Sequence, residues 1–273
     1  MADRYAVIGN PVSHSKSPLI HALFAQQTGQ DMSYIAVSAA EDAFENTVEL
    51  FRAEGGRGMN VTLPFKHRAY AFAEERSARA EHANAANTLV FRRDAVFADN
   101  TDGYGLVRDL VVNLACGLRG RRILLLGAGG ASYGVCGPLL DEAPAALVVA
   151  NRTLDKAVGL REHFSKLHGH GAIVSASSYE GLAGCSFDVV INATSAGLTG
   201  DMPPLPDALF AAGAMAYDMV YGRTTPFLAF AQSHGARTAD GLGMLVEQAA
   251  ESFYIWRGIR PETAPVIAVL RAQ

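Results

Sequence analysis

Arg122-Ile123-Leu124-Leu125-Leu126-Gly127-Ala128-Gly129-Gly130-Ala131-Ser132 is the stretch whose reading decides the fold. Four apolar residues run without a polar break into a glycine cluster, and a helical pattern follows. This is the pattern of a buried parallel strand, a tight turn and a helix N-terminus. Such a turn leaves backbone N–H groups free and pointing one way, where they can hold a pyrophosphate. The match to G-x-G-x-x-G is partial. Gly127 and Gly129 fill the first two positions, Gly130 and Ala131 follow, and Ser132 stands where the third glycine would be. A tight strand-to-helix turn with no ligand has the same pattern.

A second apolar strand, Ala146 to Ala150, comes next. A NAD site wants an acidic residue at the end of that strand to bond the ribose hydroxyls. Here the chain reads Asn151-Arg152-Thr153, with Lys156 three residues on. Thr153 suits the N-cap of a helix beginning at Leu154. Two cations at a helix N-terminus oppose its macrodipole. They make sense if a dianionic 2′-phosphate sits between them, which favours NADP over NAD. Two solvated surface cations remain the alternative.

The chain has 273 residues, 49% of them apolar and 18% charged, which is enough for one large core or two modest ones. A formal net charge of −4 leaves no nucleic-acid footprint. No apolar run approaches a membrane span, and Met1 to Asn10 has no h-region of a signal peptide. Cys116, Cys136 and Cys185 are odd in number and widely spaced, so they read as reduced thiols of a cytoplasmic protein. His168-Gly169-His170 lacks partners at ligand spacing and reads as a solvated loop, with no metal expected.

Before the glycine turn the chain alternates again. Tyr5 to Gly9, Ser33 to Val37 and Gly58 to Leu63 read as strands. Pro18 to Gln27 and Ala43 to Ala53 read as helices, the first closed by Gly29. Thr88 to Arg92 and Ala95 to Ala98 read as a hairpin. This order predicts a second, mostly parallel α/β unit, with ligands beyond the carboxyl ends of its strands. The first such end holds His14, Ser15 and Ser17. Ser17 precedes Pro18 and reads as an N-cap, yet Ser15 and Ser17 could also present both hydroxyls to one polyol. The third holds Thr62, Pro64 and Lys66. Lys66 falls in a first helical turn, where the dipole field lowers a lysine pKa while a facing Asp102 carboxylate would raise it, so the sequence gives no net direction. Asp102, in Asn100-Thr101-Asp102-Gly103, reads either as the cap of a helix Gly103 to Ala115 or as the partner of Lys66. Asn87 by itself says little.

Further on, Phe187 to Asn192 reads as a strand opening into a loop at Thr194-Ser195-Ala196-Gly197. Ala214 to Tyr217 and Ala236 to Ala239 read as strands, with a helix from Pro226 to Gln232 between them. Leu242, Leu245, Val246, Ala249, Phe253 and Trp256 form a core stripe at helical spacing. Met244 and Gln248 lie off that stripe and could face a cleft. Thr263 to Arg271 reads as a last helix.

Taken together, Ser15-Lys16-Ser17-Pro18, Asn60-Val61-Thr62-Leu63-Pro64-Phe65-Lys66, Ala86-Asn87-Thr88, Asn100-Thr101-Asp102-Gly103, the glycine turn, Asn151-Arg152-Thr153, Asn192-Ala193-Thr194-Ser195 and Asp240-Gly241-Leu242-Gly243-Met244-Leu245 occur in this order. The chain resembles the shikimate dehydrogenase family along essentially its whole length. The resemblance implies NADP(H)-dependent, reversible reduction of 3-dehydroshikimate to shikimate on the chorismate route to aromatic amino acids. It implies Lys66 and Asp102 as the catalytic couple. Ser15, Ser17, Thr62, Asn87, Tyr221 and Gln248 would bind substrate. Gly127, Gly129, Gly130, Ala131, Asn151, Arg152, Thr153, Lys156, Met219 and Gly241 would contact NADP. It further implies two α/β domains, residues 1–101 plus 241–273 for substrate and a Rossmann-like 102–240 for NADP, with the active site in a cleft between them. Monomer or homodimer are both open. Tyr133 and Lys156 stand where many NADP-preferring members carry Arg, so the strength of the preference over NAD is open. A dual quinate/shikimate enzyme using NAD, a methylenetetrahydrofolate dehydrogenase and a silent NADP-binding sensor are the alternatives.

Overall fold

The computed structural model describes residues 2–168, 173–194, 196 and 200–273. The chain divides into two compact units, Met1–Gly105 with Leu245–Gln273, and Leu106–Met244. Each is an α/β unit built on a six-stranded sheet.

In the second unit all strands are parallel. In chain order they are β7 (Arg122–Leu126), β8 (Ala146–Ala150), β9 (Val174–Ser177), β10 (Phe187–Asn192), β11 (Phe210–Asp218) and β12 (Arg237–Asp240). They lie in the order β12-β11-β10-β7-β8-β9. This is the doubly wound order of dinucleotide-binding sheets, which reverses direction beside the first strand. The apolar run of β7 follows from burial on both faces. Ile123 and Leu125 enter one core with Val135, Leu139 and Phe164, while Leu124 and Leu126 enter another with Phe187, Phe227 and Leu228. The glycine turn therefore leaves β7 at the switch point, and α6 (Gly130–Asp141) follows it.

In the first unit β1 (Asp3–Gly9) is flanked by β2 (Met32–Ser38) and β3 (Gly56–Val61), both parallel to it. The hairpin β5 (Thr88–Phe91) and β6 (Val96–Asp99) joins β3 in antiparallel fashion, and the short β4 (Glu75–Arg76) closes the edge. Ile8, Phe44, Met59, Val61, Phe65 and Leu89 fill the core. The helices here are α1 (Ser17–Thr28), α2 (Phe44–Ala53), α3 (Lys66–Phe72) and α4 (Ala78–Ala83). The hairpin, the alternation and the left-handed Gly29 behind α1 all match the sequence reading.

Some local expectations fail for physical reasons. Ser17 is the first residue of α1, not its cap; Lys16 takes that place without a side-chain bond. The helix expected from Gly103 to Ala115 is α5 (Asp102–Arg108) followed by a wider turn of five residues, Asp109–Asn113. There the Asp109 carbonyl is met by the N–H of Leu114, five residues on. Its carboxylate accepts from the Tyr217 hydroxyl at 2.7 Å and from Asn113 at 2.9 Å. Met244 is buried in the core of the second unit. It begins α9 (Leu242–Arg257), whose apolar stripe is buried at Val246, Ala249 and Phe253 as expected. The remaining helices are α7 (Leu154–His168), α8 (Pro226–Ser233) and α10 (Ala264–Arg271). His168 closes α7; Gly169, His170, Ser195 and Gly197 lie outside the described residues. Among the described residues no helix is long and apolar enough to cross a membrane.

Candidate active site

Four of the expected residues meet in the first unit. Lys66 opens α3 and its Nζ bonds Asp102 Oδ2 at 2.5 Å, while the other Asp102 oxygen accepts from the Asn87 amide at 2.8 Å. Both carboxylate oxygens are thus engaged and the direction of the group is fixed. The same amide donates to Gln248 Oε1 at 3.1 Å. The Asn87 Oδ1 accepts from the N–H of Thr101 at 2.9 Å and from the Thr88 hydroxyl at 2.9 Å. Lys66 keeps 28% of its side chain exposed and Asp102 14%, so the pair is sheltered but reachable.

Behind this quartet lies a buried polar layer. Asn60 donates to the Asn87 carbonyl at 3.1 Å and to Ser252 at 2.9 Å, and it accepts from the Tyr34 hydroxyl at 2.8 Å. Ser17 lies beside that hydroxyl and is nearly buried, and its N–H donates to Ser15 Oγ at 3.2 Å. The two serines are thus linked to each other. Thr62 lies half-buried after β3, and Gly9 is needed beside it, because a Cβ there would meet Thr62 Cγ2 at 2.4 Å. His21 stacks on Tyr34 with ring centroids 4.1 Å apart. Burial holds its imidazole down at about 3; the Asn60 amide opposes this only in part and makes no hydrogen bond of normal geometry to the ring.

The sequence reading did not single out Asn60, Thr88, Thr101 or Ser252. Asn60 carried a signal, because it is an uncompensated polar residue inside an otherwise apolar strand; the others carried none.

The second unit holds a cavity of about 700 Å³. Gly127, Gly129, Gly130, Ala131, Asn151, Arg152, Thr153 and Lys156 all line it, so eight of the ten expected cofactor residues converge. Gly127 has φ +101°, which L side chains avoid, and a Cβ there would press on Thr194 at 3.1 Å. Ser132 replaces the third glycine without loss of the turn. It is fully buried and its hydroxyl bonds the Gly127 carbonyl at 2.8 Å. Tyr133 does not line the cavity. Its ring packs edge-on to His163 at 5.4 Å and against Phe164. Arg152 and Lys156 have no carboxylate partner among the described residues, and Asn151 bonds the Thr153 carbonyl at 2.8 Å. Two unneutralised cations and a glycine turn at a helix N-terminus fit a phosphorylated dinucleotide.

Met219 and Gly241 do not line that cavity, but they touch each other. The N–H of Gly241 bonds the Val220 carbonyl at 3.1 Å, and a Cβ at Gly241 would lie 2.3 Å from the Met219 oxygen. Tyr221 is half-buried in the same unit, and burial raises its phenol above the usual range.

Comparison with known proteins gives the family of the chain. Residues 7–89 match the shikimate dehydrogenase substrate binding domain, 109–199 the shikimate / quinate 5-dehydrogenase family and 241–271 the shikimate 5'-dehydrogenase C-terminal domain. The shikimate dehydrogenase (NADP(+)) of Nitrosospira multiformis is 59% identical, covering 100% of this chain and 98% of its own. The chain belongs to the shikimate dehydrogenase family. A crystal structure of an Ael1 enzyme from Pseudomonas putida superposes with a TM-score of 0.93 at 52% identity, covering 98% of both chains. The shikimate 5-dehydrogenase of Thermus thermophilus, solved in complex with NADP(H) and shikimate, gives 0.87 at 33% identity over 99% of both. In this chain Tyr133 is partly buried against the core of the second unit, and Arg152 and Lys156 line its cavity.

Proposed function

We propose that this protein catalyses the reversible, NADP-dependent interconversion of 3-dehydroshikimate and shikimate, with Lys66 and Asp102 handling the proton. The observation that carries the reading is the Lys66–Asp102 bond, oriented from the other side by Asn87. NADPH, when bound, supplies the hydride. Lys66 donates a hydrogen bond or a proton to the substrate oxygen as negative charge develops there. Asp102 fixes the direction of the ammonium group. Asn87 and Gln248 bond the substrate hydroxyls next to the couple, while Ser15, Ser17 and Thr62 hold the carboxylate and the far side of the ring. Tyr221 completes the substrate set.

Residues 1–101 plus 241–273 hold the substrate in this account, and 102–240 hold the dinucleotide. Gly127, Gly129, Gly130 and Ala131 receive the pyrophosphate on backbone N–H groups. Asn151, Arg152, Thr153 and Lys156 receive the adenosine 2′-phosphate, and Met219 and Gly241 border the nicotinamide. Lys156 is a point charge without a guanidinium fork, so Arg152 supplies the directional part of the preference for NADP. The three free thiols suit a reducing compartment, and we assign the protein to the cytoplasm as a monomer or homodimer.

The test follows absorbance at the nicotinamide band with shikimate or quinate and with NADP or NAD. Fast reduction of NADP with shikimate alone supports the reading. Equal rates with NAD and quinate would replace it with the dual-substrate enzyme, and binding of NADP without turnover would leave a sensor.

A further inference from the structure

The Lys66–Asp102 couple works only if segment 99–104 delivers the Asp102 carboxylate to the right place. One cluster in the first unit grips that segment on both sides. Ahead of Asp102, the buried Asp99 is held by the Arg79 guanidinium through two bonds, Nε to Oδ1 at 3.1 Å and Nη2 to Oδ2 at 2.7 Å. Asp99 Oδ1 also accepts the N–H of Asn100 at 2.7 Å, and Asn100 Oδ1 accepts the N–H of Asp102 at 3.1 Å. The Asp99 carboxylate is thereby linked through Asn100 to the backbone of Asp102. Behind Asp102, the Tyr104 ring carries two guanidinium groups, Arg79 at 5.5 Å and Arg260 at 5.3 Å from its centroid. Glu251 joins the two cations, accepting from Arg79 at 3.0 Å and from Arg260 at 2.6 Å.

The charges balance, two guanidinium groups against two carboxylates. The carboxylates are almost out of water, at 5% and 8% exposure. In such a place a planar fork fixes direction as well as charge. Glu251 stands one turn after Gln248 on α9, so the same cluster also sets the helix that presents Gln248 to Asn87.

We propose that the Arg79–Glu251–Arg260 clamp is a positioning device that sets the Asp102 carboxylate, through Asp99 and Tyr104, against Lys66 Nζ. The proposal rests on Lys66 and Asp102 being the proton-handling couple. None of the three clamp residues needs to touch substrate; they act through segment 99–104.

Arg79→Lys tests it, because it keeps the charge and removes the fork. A misplacement of about 1 Å in a reacting group can cost on the order of 100-fold. The expected result is a kcat for shikimate oxidation lowered at least about 10-fold, with the KM for NADP within about two-fold of wild type. All assays run well below the melting temperature of each variant, which is measured in parallel. Glu251→Gln, an isosteric change with the same readouts, carries the test if Arg79→Lys does not fold. A lowered melting temperature with unchanged kcat would overturn the proposal and leave the clamp a purely structural feature. Lys66→Ala runs alongside. If it retains wild-type turnover, the couple itself is wrong; if it is inactive while Arg79→Lys is fully active, only the clamp is wrong.

Discussion

The two halves of the functional machinery are made of different materials. The Lys66 site is built of side chains, each held by named partners, and Asn87 alone bonds Asp102, Gln248, Thr88 and Thr101. The cavity of the second unit, which we assign to the dinucleotide, is built around a backbone turn whose shape follows from glycine sterics, with two cations beside it that have no carboxylate partner among the described residues. A side-chain network fails when one member is lost, because the remaining groups stay buried without partners. A backbone turn fails only when a Cβ is forced into it, and its selectivity is tuned separately by charge. Substitutions should therefore remove chemistry in the first half and shift cofactor affinity in the second.

The largest expected effect is in the side-chain half. Asp102→Asn keeps the shape and removes the charge facing Lys66. Turnover should fall by about 100- to 10,000-fold, the usual contribution of positioned acid/base groups, while the KM for NADP holds. An equal rise in that KM would erase the distinction between the halves. Next comes Arg152→Ala. Loss of one charge-assisted contact to a phosphate is worth about 1.5–3 kcal/mol, so the KM for NADP should rise about 10- to 100-fold with little change for NAD. Steady-state kinetics with both cofactors measure the ratio, and parallel losses for NADP and NAD would contradict the 2′-phosphate assignment.

A stability effect of similar size belongs to His21. Its folded pKa of about 3 lies below the unfolded value of about 6.5. The unfolded chain therefore binds the proton first. Stability is full above pH 6.5 and is lost as pH falls from there toward 3. Between pH 7.5 and 5 the loss from this group is about 2 kcal/mol. Denaturant midpoints at the two pH values read it, and His21→Phe should flatten the difference; an unchanged pH dependence in that variant would refute the assignment. The smallest effect is Gly127→Ala in the turn. A positive φ costs a non-glycine residue about 1–2 kcal/mol, expected as a modest drop in melting temperature with weaker NADP binding. Thermal melts with and without NADP distinguish that from a neutral change.

The same contrast explains what could be read from the sequence. The β7 strand and its glycine turn were legible because local pattern specifies them. Apolar residues on both faces need a parallel sheet, and Gly127 needs its positive φ. Lys66 was legible as a first-turn lysine, and the family motif supplied its partner. What stayed hidden depends on pairs far apart in the chain. Arg79 meets Glu251 across 172 residues, and Asn60 meets Ser252 across 192. No local pattern encodes such pairs. The two-residue β4 and the wide turn at Asp109–Asn113 were hidden for a related reason, since their partners, Phe97 and Ala98 for one and Tyr217 for the other, come from elsewhere. Ser132 read as a flaw in the motif, and its hydroxyl bond to the Gly127 carbonyl shows why the turn accepts it.

The most direct single measurement is made on Lys66→Ala, pairing NADPH binding, followed by cofactor fluorescence, with turnover of shikimate on the same sample. The account predicts wild-type cofactor affinity with turnover reduced at least about 100-fold. Wild-type turnover, or loss of NADPH binding together with activity, would contradict the assignment of chemistry to the side-chain half and cofactor binding to the backbone half.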